Sequence, residues 1–567
     1  MHVGAMRRDS RGHTSIRLWL VCALSFALVG ASQPPVPVLA EPTDAVGYQD
    51  FSYTSAVSAP TGDHPQSRLW FNDGSWWGGL FNPTDGSGNY NIYRFDGPTQ
   101  SWITTGVRLD NRRPSSGDYL WDGTHLYVAS AVAKPSTHTD RWDVRVYRYS
   151  YNATTKTYSQ DFETILVKTS TESISIGKDS AGTFWVTFTS CSLTCTERPQ
   201  DQAHPTQPRS VYVAHSTTSD AIWTRPYVLP VANTANLTAD DISSLVMLSP
   251  QADVTKIGVM WTNQTPDVNG NTSFFFVVHL DGDPDSVWTV TSASQGPRQA
   301  DDHMNLKSVQ ADASGVVYAV AKSSATGRAD GPDAPLIVLL VMAADGGWQR
   351  HTVSRVVDNA TRAIVLIDEE HRQLYVFVSA PCCSGGAIYV KQSSLDDISF
   401  PDGTGTPFIQ SSIHTRISHP TSTKQNLNST TGLLVLASDD STRTYLHNTI
   451  NLGAVPDTSI DAGPSGTVIR PDARFSFSTS EAGASFACSL DGAPFSPCVS
   501  PQRCTDLADG PHQFKVLAAN AAGATDPTPA EANWTITSTS RDTMSRTQPA
   551  AQDCQKSPTG PTPPLRY

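Results

Sequence analysis

A charged triplet, Asp301, Asp302 and His303, is the part of the sequence best suited to chemistry. Histidine gains and loses a proton near neutral pH, so His303 is a candidate general acid or base. Asp302 is the predicted partner that would orient the imidazole. The triplet precedes an alternating strand and a tight turn over 312–315, which leads into a second alternating strand. We therefore predict that catalysis, if the protein is an enzyme, depends on His303 and Asp302.

Other charged residues occupy the corresponding position, just before a strand, elsewhere in the chain. The predicted ligand-binding set is Arg68, Asp118, Glu172, Asp241 with its neighbour Asp240, Asp301, Arg362 and Lys424. This is a strong concentration of charge, because only 16% of the residues are charged. Two of the cations, Arg362 and Lys424, are suited to hold an anionic sugar. Trp76 and Trp77 are predicted to be exposed and to offer faces to sugar rings, with packing between sheets as the alternative.

The elements that position these residues form a repeat. Similar turns occur at 72–74, 121–123, 179–182, 250–254, 312–315, 368–371 and 428–431, roughly 50 to 70 residues apart. An apolar or alternating strand follows each turn, and two further strands usually precede the next unit. Four antiparallel strands per unit predict an all-β fold with a seven-bladed β-propeller over 48–453. Two β-sandwiches are the alternative, although sandwiches do not need one turn at so regular a period.

The ends of the predicted propeller suggest how it closes. The last unit supplies only three strands, around Asn426, at Leu433 to Ala437 and at Tyr445 to Asn451. The strand from Asp50 to Val57 precedes the first unit and is predicted to complete the last one, which leaves no open sheet edge. The first strand of each unit would line the central channel. The charged residues before these strands are therefore predicted to meet at one mouth of the channel.

Composition and the N-terminus indicate the compartment. The net charge of -13 argues against binding nucleic acid, because phosphates require a basic face. Basic residues and a short apolar run over 18–31 predict an export signal within 1–40, with cleavage after Ala31 or Ala40. An uncleaved membrane anchor is the alternative. We therefore expect a secreted, extracellular protein with no membrane span after removal of the signal.

The cysteines fit an exported chain. Cys22 lies in the predicted signal, and an even number remains: Cys191, Cys195, Cys382, Cys383, Cys488, Cys498, Cys504 and Cys554. Such a set predicts disulfides in an oxidising compartment. Cys488 and Cys498 bracket a Leu-Asp-Gly hairpin and are predicted to pair, while the pairing of the other six stays open. Ca²⁺ is the one cofactor that the sequence suggests, because 281–285 (DGDPD) resembles part of a calcium loop.

The segment over 456–537 resembles a bacterial immunoglobulin-like repeat of extracellular proteins. The resemblance covers the whole segment and rests on the stretches SEAG, CSLDG, DGPHQF and AGATDPTPA. It implies a separate β-sandwich domain after the propeller. From 538 to 567 the chain is polar and rich in proline, which predicts a disordered tail.

The repeat region also resembles known proteins. The stretches WFNDGSWWG, LWDGTHLYVAS, KDSAGTFWV and DDHMNLK resemble a group of secreted bacterial proteins. The seven-bladed fold is similar to that of some polysaccharide lyases, which remove a proton beside a uronate carboxylate. It is also similar to sialidases, whose Asp-box is loosely echoed by DSAGTFW at 179–185. That turn here lies between the first and second strands, and no arginine triad with a Tyr/Glu pair accompanies it.

Three functions remain open on the sequence. The first is binding of an extracellular glycan or cell-surface polymer through the charged channel mouth. The second is a polysaccharide-degrading enzyme, a lyase or glycoside hydrolase, that uses His303. The third is a structural or adhesive scaffold in which the charges pair across the repeats, or hold a Ca²⁺ ion or water in the channel.

Overall fold

The structure is a computed structural model, and it describes the chain from 45 to 537 with several gaps. The gaps are 55–56, 58, 63–65, 86–88, 113–114, 133–142, 172, 195–207, 239, 252–253, 302–303, 309–315, 344, 383–384 and 521–524. The predicted signal over 1–40 and the predicted tail over 538–567 lie outside the described residues. Within them the fold is all-β: there is no α-helix, and two short 3₁₀ turns occur at Pro83–Asp85 and Val356–Asp358. None of these helical segments has the length and apolar character needed to cross a membrane.

The repeat region contains twenty-nine strands among the described residues. In chain order they are β1 (Tyr48–Ser52), β2 (Leu69–Asn72), β3 (Ser75–Phe81), β4 (Tyr90–Asp96), β5 (Ser101–Asp110), β6 (Ser115–Trp121), β7 (His125–Val132), β8 (Asp143–Asn152), β9 (Thr157–Lys168), β10 (Ile174–Lys178), β11 (Phe184–Ser190), β12 (Arg209–His215), β13 (Tyr227–Val228), β14 (Ala235–Leu237), β15 (Ser243–Gln251), β16 (Val254–Asn263), β17 (Asn271–Leu280), β18 (Thr289–Pro297), β19 (Met304–Ser308), β20 (Val317–Lys322), β21 (Pro335–Met342), β22 (Trp348–Arg355), β23 (Thr361–Asp368), β24 (Gln373–Ala380), β25 (Ala387–Ser394), β26 (Thr406–Ile409), β27 (Ile417–Thr421), β28 (Leu433–Asp439) and β29 (Thr444–Ile450).

These strands form seven antiparallel sheets that follow one another along the chain. Five of them are the meanders β2–β5, β6–β9, β15–β18, β19–β22 and β23–β26. A sixth runs from β10 to β13 and adds β14, which pairs with β12, and the seventh joins β27–β29 to β1. The first strand of each sheet contacts the first strand of the next, from β2 through β6, β10, β15, β19 and β23 to β27. The amide of Leu69, which begins β2, donates to the carbonyl of Ser422 just after β27 and so closes the ring. This arrangement is that of a β-propeller.

The core lies between neighbouring sheets. Central strands such as β11 and β24 are buried along nearly their whole length, because both faces of each sheet pack against another sheet. Aromatic residues dominate the boundary between the first two sheets. The rings of Trp70 and Tyr119 meet edge to face at 5.8 Å, and Trp77 and Tyr158 do so at 5.1 Å. Such pairs stabilise the boundary beyond the area they bury.

The N-terminal strand closes the last sheet, as predicted, although it spans Tyr48–Ser52 rather than 50–57. β1 pairs antiparallel with β29, with Tyr48 opposite His447. A buried contact of 2.8 Å joins the Nδ1 of His447 to the carboxylate of Asp50. Because β29 would otherwise be an open edge, β1 removes a site for pairing with other chains.

One strand differs from the prediction. The first strand of the seventh sheet is β27, and the residues around Asn426 lie after it rather than within it. Leu427 instead forms a parallel bridge with Asp368, at the end of β23. The polar sequence ISHPT obscured β27, because proline and polar residues are unusual in a buried strand. Lys424 therefore follows its strand instead of preceding it.

The C-terminal described residues form two further sheets. Their strands are β30 (Thr458–Ala462), β31 (Gly466–Val468), β32 (Ala473–Thr479), β33 (Ser485–Leu490), β34 (Ser496–Cys498), β35 (Gln502–Cys504), β36 (Gly510–Ala519) and β37 (Ala530–Ile536). One sheet has the order β30-β32-β35 and the other β31-β37-β36-β33-β34. The predicted disulfide between Cys488 and Cys498 is confirmed. Cys191, Cys382 and Cys504 are disulfide-bonded as well.

Candidate functional site

The described residues contain a pocket at one end of the central channel. It encloses about 840 Å³. Its walls come from the ends of β6 and β10, from 245–247 in β15, from the turn after β23 and from the segment after β27. The lining residues used below are Trp121, Asp122, Lys178, Glu369, Glu370 and Lys424. The pocket thus lies where the first strands end, whereas the sequence predicted a site where they begin.

Lys424 crosses the inside of the ring from the seventh sheet to the second and third. Its Nζ lies 2.6 Å from the carboxylate of Asp118, and it donates to the Ile176 carbonyl at 2.6 Å and to Ser175 Oγ at 3.1 Å. Asp118 is fully buried, and its oxygens also accept from the amides of Ser67 and Ile176, both at 2.8 Å. This ion pair therefore links three sheets beneath the pocket.

A second cation, Lys178, lies on the pocket wall at the end of β10. It pairs with Asp122 at 2.7 Å, and its Nζ is 5.0 Å from the centre of the Phe184 ring. Asp122 also accepts from the amides of Thr124 and His125 in the turn after β6. Burial opposes ionisation of Asp122, but these hydrogen bonds and Lys178 hold its pKa below the ordinary value.

Trp121 supplies the aromatic surface of the pocket. It ends β6, and its indole is half-buried. The ring packs edge to face against Tyr151 at 6.4 Å and Tyr158 at 6.1 Å. These contacts fix the orientation of the indole, so the side chain is a rigid surface.

Two carboxylates from the turn after β23 line the opposite wall. Glu369 accepts from Asn426 Nδ2 at 2.5 Å. Glu370 accepts from the amide of Ser429 at 2.6 Å and from its hydroxyl at 2.8 Å. Both glutamates thus fasten the segment after β27 to the sixth sheet.

Of the predicted site residues, Arg68, Asp118 and Lys424 are brought into one region. The guanidinium of Arg68 is buried between the rings of Tyr90 and Tyr119, 5.4 and 5.5 Å from their centres. It donates to the Tyr119 hydroxyl at 3.1 Å and to Ser116 Oγ at 3.3 Å. Arg68 does not line the pocket, so a contact to ligand there is not supported.

The other predicted residues have local partners instead. Asp241 is buried and accepts from the amides of Thr238 and Gln264, at 2.7 and 3.0 Å. Asp301 pairs with Lys322 at 2.5 Å. Arg362 is in β23, at φ 50°, where the pairing with β24 is irregular. None of these three lines the pocket described here. His303, Asp302 and Glu172 lie outside the described residues.

The predicted exposure of Trp76 and Trp77 is wrong. Their exposed fractions are 6% and 0%. Trp76 Nε1 donates to the Thr431 carbonyl at 2.8 Å, and Trp77 Nε1 donates to the Asn72 carbonyl at 3.0 Å. Because both indoles pack between sheets, they cannot offer a face to a sugar ring, and Trp121 is the aromatic residue of the pocket.

The sequence signal for the pocket lay in the turns. Trp121 and Asp122 belong to the second repeated turn, and Glu369 and Glu370 to the sixth. Because such turns recur in every unit, the sequence alone favours a structural role for all of them. The residues that distinguish one turn from another are the useful signal. The second turn contains a tryptophan and the sixth contains two glutamates, which the other turns lack.

A metal site receives no support from the described residues, where no group of three or more potential ligands is placed to hold an ion. The predicted calcium loop begins at Asp281, in the hairpin between β17 and β18. Burial and the neighbouring Asp179 carboxylate raise the pKa of Asp281 to about 6. The partner of Asp281 is therefore a second carboxyl group.

Comparisons with known proteins give weak similarities only. No protein-family model matches the sequence. No curated protein matches it either. Among solved structures, the polysaccharide lyase Uly1 aligns at TM-score 0.37 and 10% identity, over 72% of this chain and 97% of that one. A Trypanosoma rangeli sialidase in complex with the inhibitor DANA aligns at 0.36 and 10%, over 77% and 90%. The Dos1 propeller aligns at 0.33 and 12%, over 68% and 78%.

Proposed function

We propose that the protein binds an extracellular glycan or cell-surface polymer in the pocket at the end of the channel. The observation that carries this proposal is the combination of a fixed indole, Trp121, with carboxylates and amides around about 840 Å³ of space. Ligand pockets are typically about 300–1,000 Å³ in volume, with few polar groups that fix orientation. Aromatic faces suit sugar rings, and the carboxylate and amide groups can exchange hydrogen bonds with hydroxyls.

We further propose that the seven sheets are the seven blades of one propeller over 48–453. The two sheets over 456–537 would be an immunoglobulin-like domain. Export of the mature chain, after a signal within 1–40, is supported by the disulfide between Cys488 and Cys498, since such bonds persist in oxidising compartments.

A structural role is favoured for Arg68, Asp118 and Lys424. Asp118 is fully buried and Lys424 is only 16% exposed, and their contacts are with other parts of the ring. Arg68 is likewise enclosed by Tyr90 and Tyr119. These buried charges of the channel therefore hold the sheets together, while binding is assigned to the pocket walls.

A polysaccharide panel read for both retention and cleavage tests the proposal. We expect a soluble glycan to bind and Trp121→Ala to weaken it at least about tenfold, since stacking on an aromatic ring is lost. Phe495→Ala, which removes an exposed aromatic residue outside the pocket, is the matched control. Thermal unfolding of both variants separates lost binding from lost folding. Retention that is equal in the folded Trp121→Ala variant and wild type would refute the assignment.

The same panel addresses catalysis. Cleaved chains, or absorbance from an unsaturated sugar, that disappear in His303→Ala would establish the enzymatic alternative with His303 as acid or base. If cleavage persists in His303→Ala, His303 is not the catalytic residue.

A further inference from the structure

The charges of the pocket determine which glycans it can accept, and this inference rests on the proposed function. Lys424 has no donor left for a ligand. An ammonium group has three N–H donors. Those of Lys424 have three acceptors, namely Asp118, the Ile176 carbonyl and Ser175 Oγ. A ligand carboxylate or sulfate could recruit this ammonium only by leaving the buried Asp118 without its partner, which is costly.

Lys178 is also neutralised within the protein. Its side chain is 32% exposed, and the side chain of Asp122, whose carboxylate it contacts at 2.7 Å, is only 5% exposed. The Phe184 ring covers another side of the ammonium. Lys178 and Asp122 therefore meet a ligand as a pair without net charge.

Glu370 is different, because its partners are neutral. Both of its carboxylate oxygens accept hydrogen bonds from Ser429, one from the amide and one from the hydroxyl. No cation of the described chain forms an ion pair with Glu370. The group is half-buried on the pocket wall, where the effective dielectric constant is lower than in water and like charges repel more strongly.

We propose that the pocket is selective for uncharged glycans and rejects glycans that carry carboxylate or sulfate groups. Glu370 repels an acidic ligand, and Lys178 and Lys424 are already engaged with Asp122 and Asp118. The hydroxyls of a neutral sugar meet no such penalty, because they can donate to the second lone pairs of the Glu370 oxygens. The selectivity therefore comes from the negative charge of Glu370, which no cation of the described residues neutralises.

Matched polymers test this inference. The polysaccharide that binds best is compared with the same polymer oxidised at C6, which turns a primary hydroxyl into a carboxylate and leaves the backbone unchanged. Isothermal titration of wild type is expected to show at least about tenfold weaker binding of the oxidised form at low ionic strength. The difference should shrink in high salt, because ions screen the repulsion.

Glu370→Gln identifies the group responsible. We expect the ratio between the two affinities to fall towards one, since glutamine keeps an acceptor for Ser429 but carries no charge. Glu531→Gln, a carboxylate of β37 that does not line the pocket, should leave the ratio unchanged. If Glu370→Gln does not fold, the ratio of the two affinities in wild type still decides whether the pocket rejects acidic glycans.

The outcomes are distinct. An oxidised polymer that binds as tightly as its parent, or more tightly, overturns the charge selectivity while the proposed glycan binding stands. A ratio that stays the same in folded Glu370→Gln removes Glu370 as its cause. If neither member of any pair binds, the proposed function is wrong and the selectivity falls with it.

Discussion

At the scale of single residues, the ion pair between Lys424 and Asp118 joins sheets that lie far apart in the sequence. Lys424→Met should lower the free energy of unfolding by about 3–5 kcal/mol, because it leaves a fully buried carboxylate without a counter-ion. The double variant Asp118→Asn/Lys424→Met should recover much of the loss, since no buried charge then remains. Denaturant unfolding measures both. Equal stability of wild type and the single variant would contradict the importance of the pair.

Asp281 gives a prediction about pH. Burial and Asp179 raise its pKa from 3.8 to about 6, so the folded state favours the protonated form. Its contribution to stability is fully present below pH about 4 and is lost as the pH rises through about 6. Asp281→Asn should therefore stabilise the protein by about 1 kcal/mol at pH 7, a value reduced for solvent screening.

The measurement is the midpoint of urea unfolding across this pH range. The difference between Asp281→Asn and wild type should vanish as the pH falls to 4. Asp285→Asn, in the same hairpin but paired with His215 at 3.1 Å, is the control and should not gain stability at pH 7. A pH-independent difference for Asp281→Asn would mean that its ionisation does not matter.

The residue scale is also where the sequence was least informative. The sequence identified Asp118 and Lys424 as charged residues of the channel, but it could not show that they satisfy each other, because they are far apart in the chain. It placed Trp77 on the surface because a tryptophan after a turn looks the same whether it faces solvent or the next sheet. Whether Trp77 is buried depends on which sheet packs beside it, and this is known only from the folded ring.

At the scale of elements, β1 is the piece whose loss should matter most. A chain that begins at Ala56, after β1, would expose the edge of β29 and leave His447 without Asp50. We expect a loss of about 1–3 kcal/mol in stability, because the buried imidazole of His447 loses its hydrogen-bond partner, together with concentration-dependent aggregation through the open edge. Thermal unfolding and size-exclusion chromatography test this. A chain that begins at Ala45 is the control and should behave as the full protein does.

Elements were predicted well where the repeat was regular. The first turn shows why: Asp73 and Gly74 both have positive φ, 49° and 69°, as a two-residue hairpin between β2 and β3 requires. An Asp-Gly pair between two strands therefore predicts this turn from the sequence alone. β27 was missed because ISHPT has neither the alternation nor the apolar run of a buried strand, and its role comes from the strands on either side.

At the scale of the whole molecule, the ring is closed by its N-terminal strand, and this decides whether the ring can fold without the C-terminal sheets. The last sheet of the ring takes its fourth strand from the N-terminal side, and none of β30–β37 shares a sheet with β1–β29 among the described residues. A chain that ends at Gly453 should therefore fold, unfold cooperatively and retain glycan binding, because it keeps every strand of the ring and the whole pocket lining. Circular dichroism, thermal unfolding and titration with the glycan measure this. Loss of the cooperative transition on this truncation would mean that the C-terminal sheets stabilise the ring by contacts other than strand pairing.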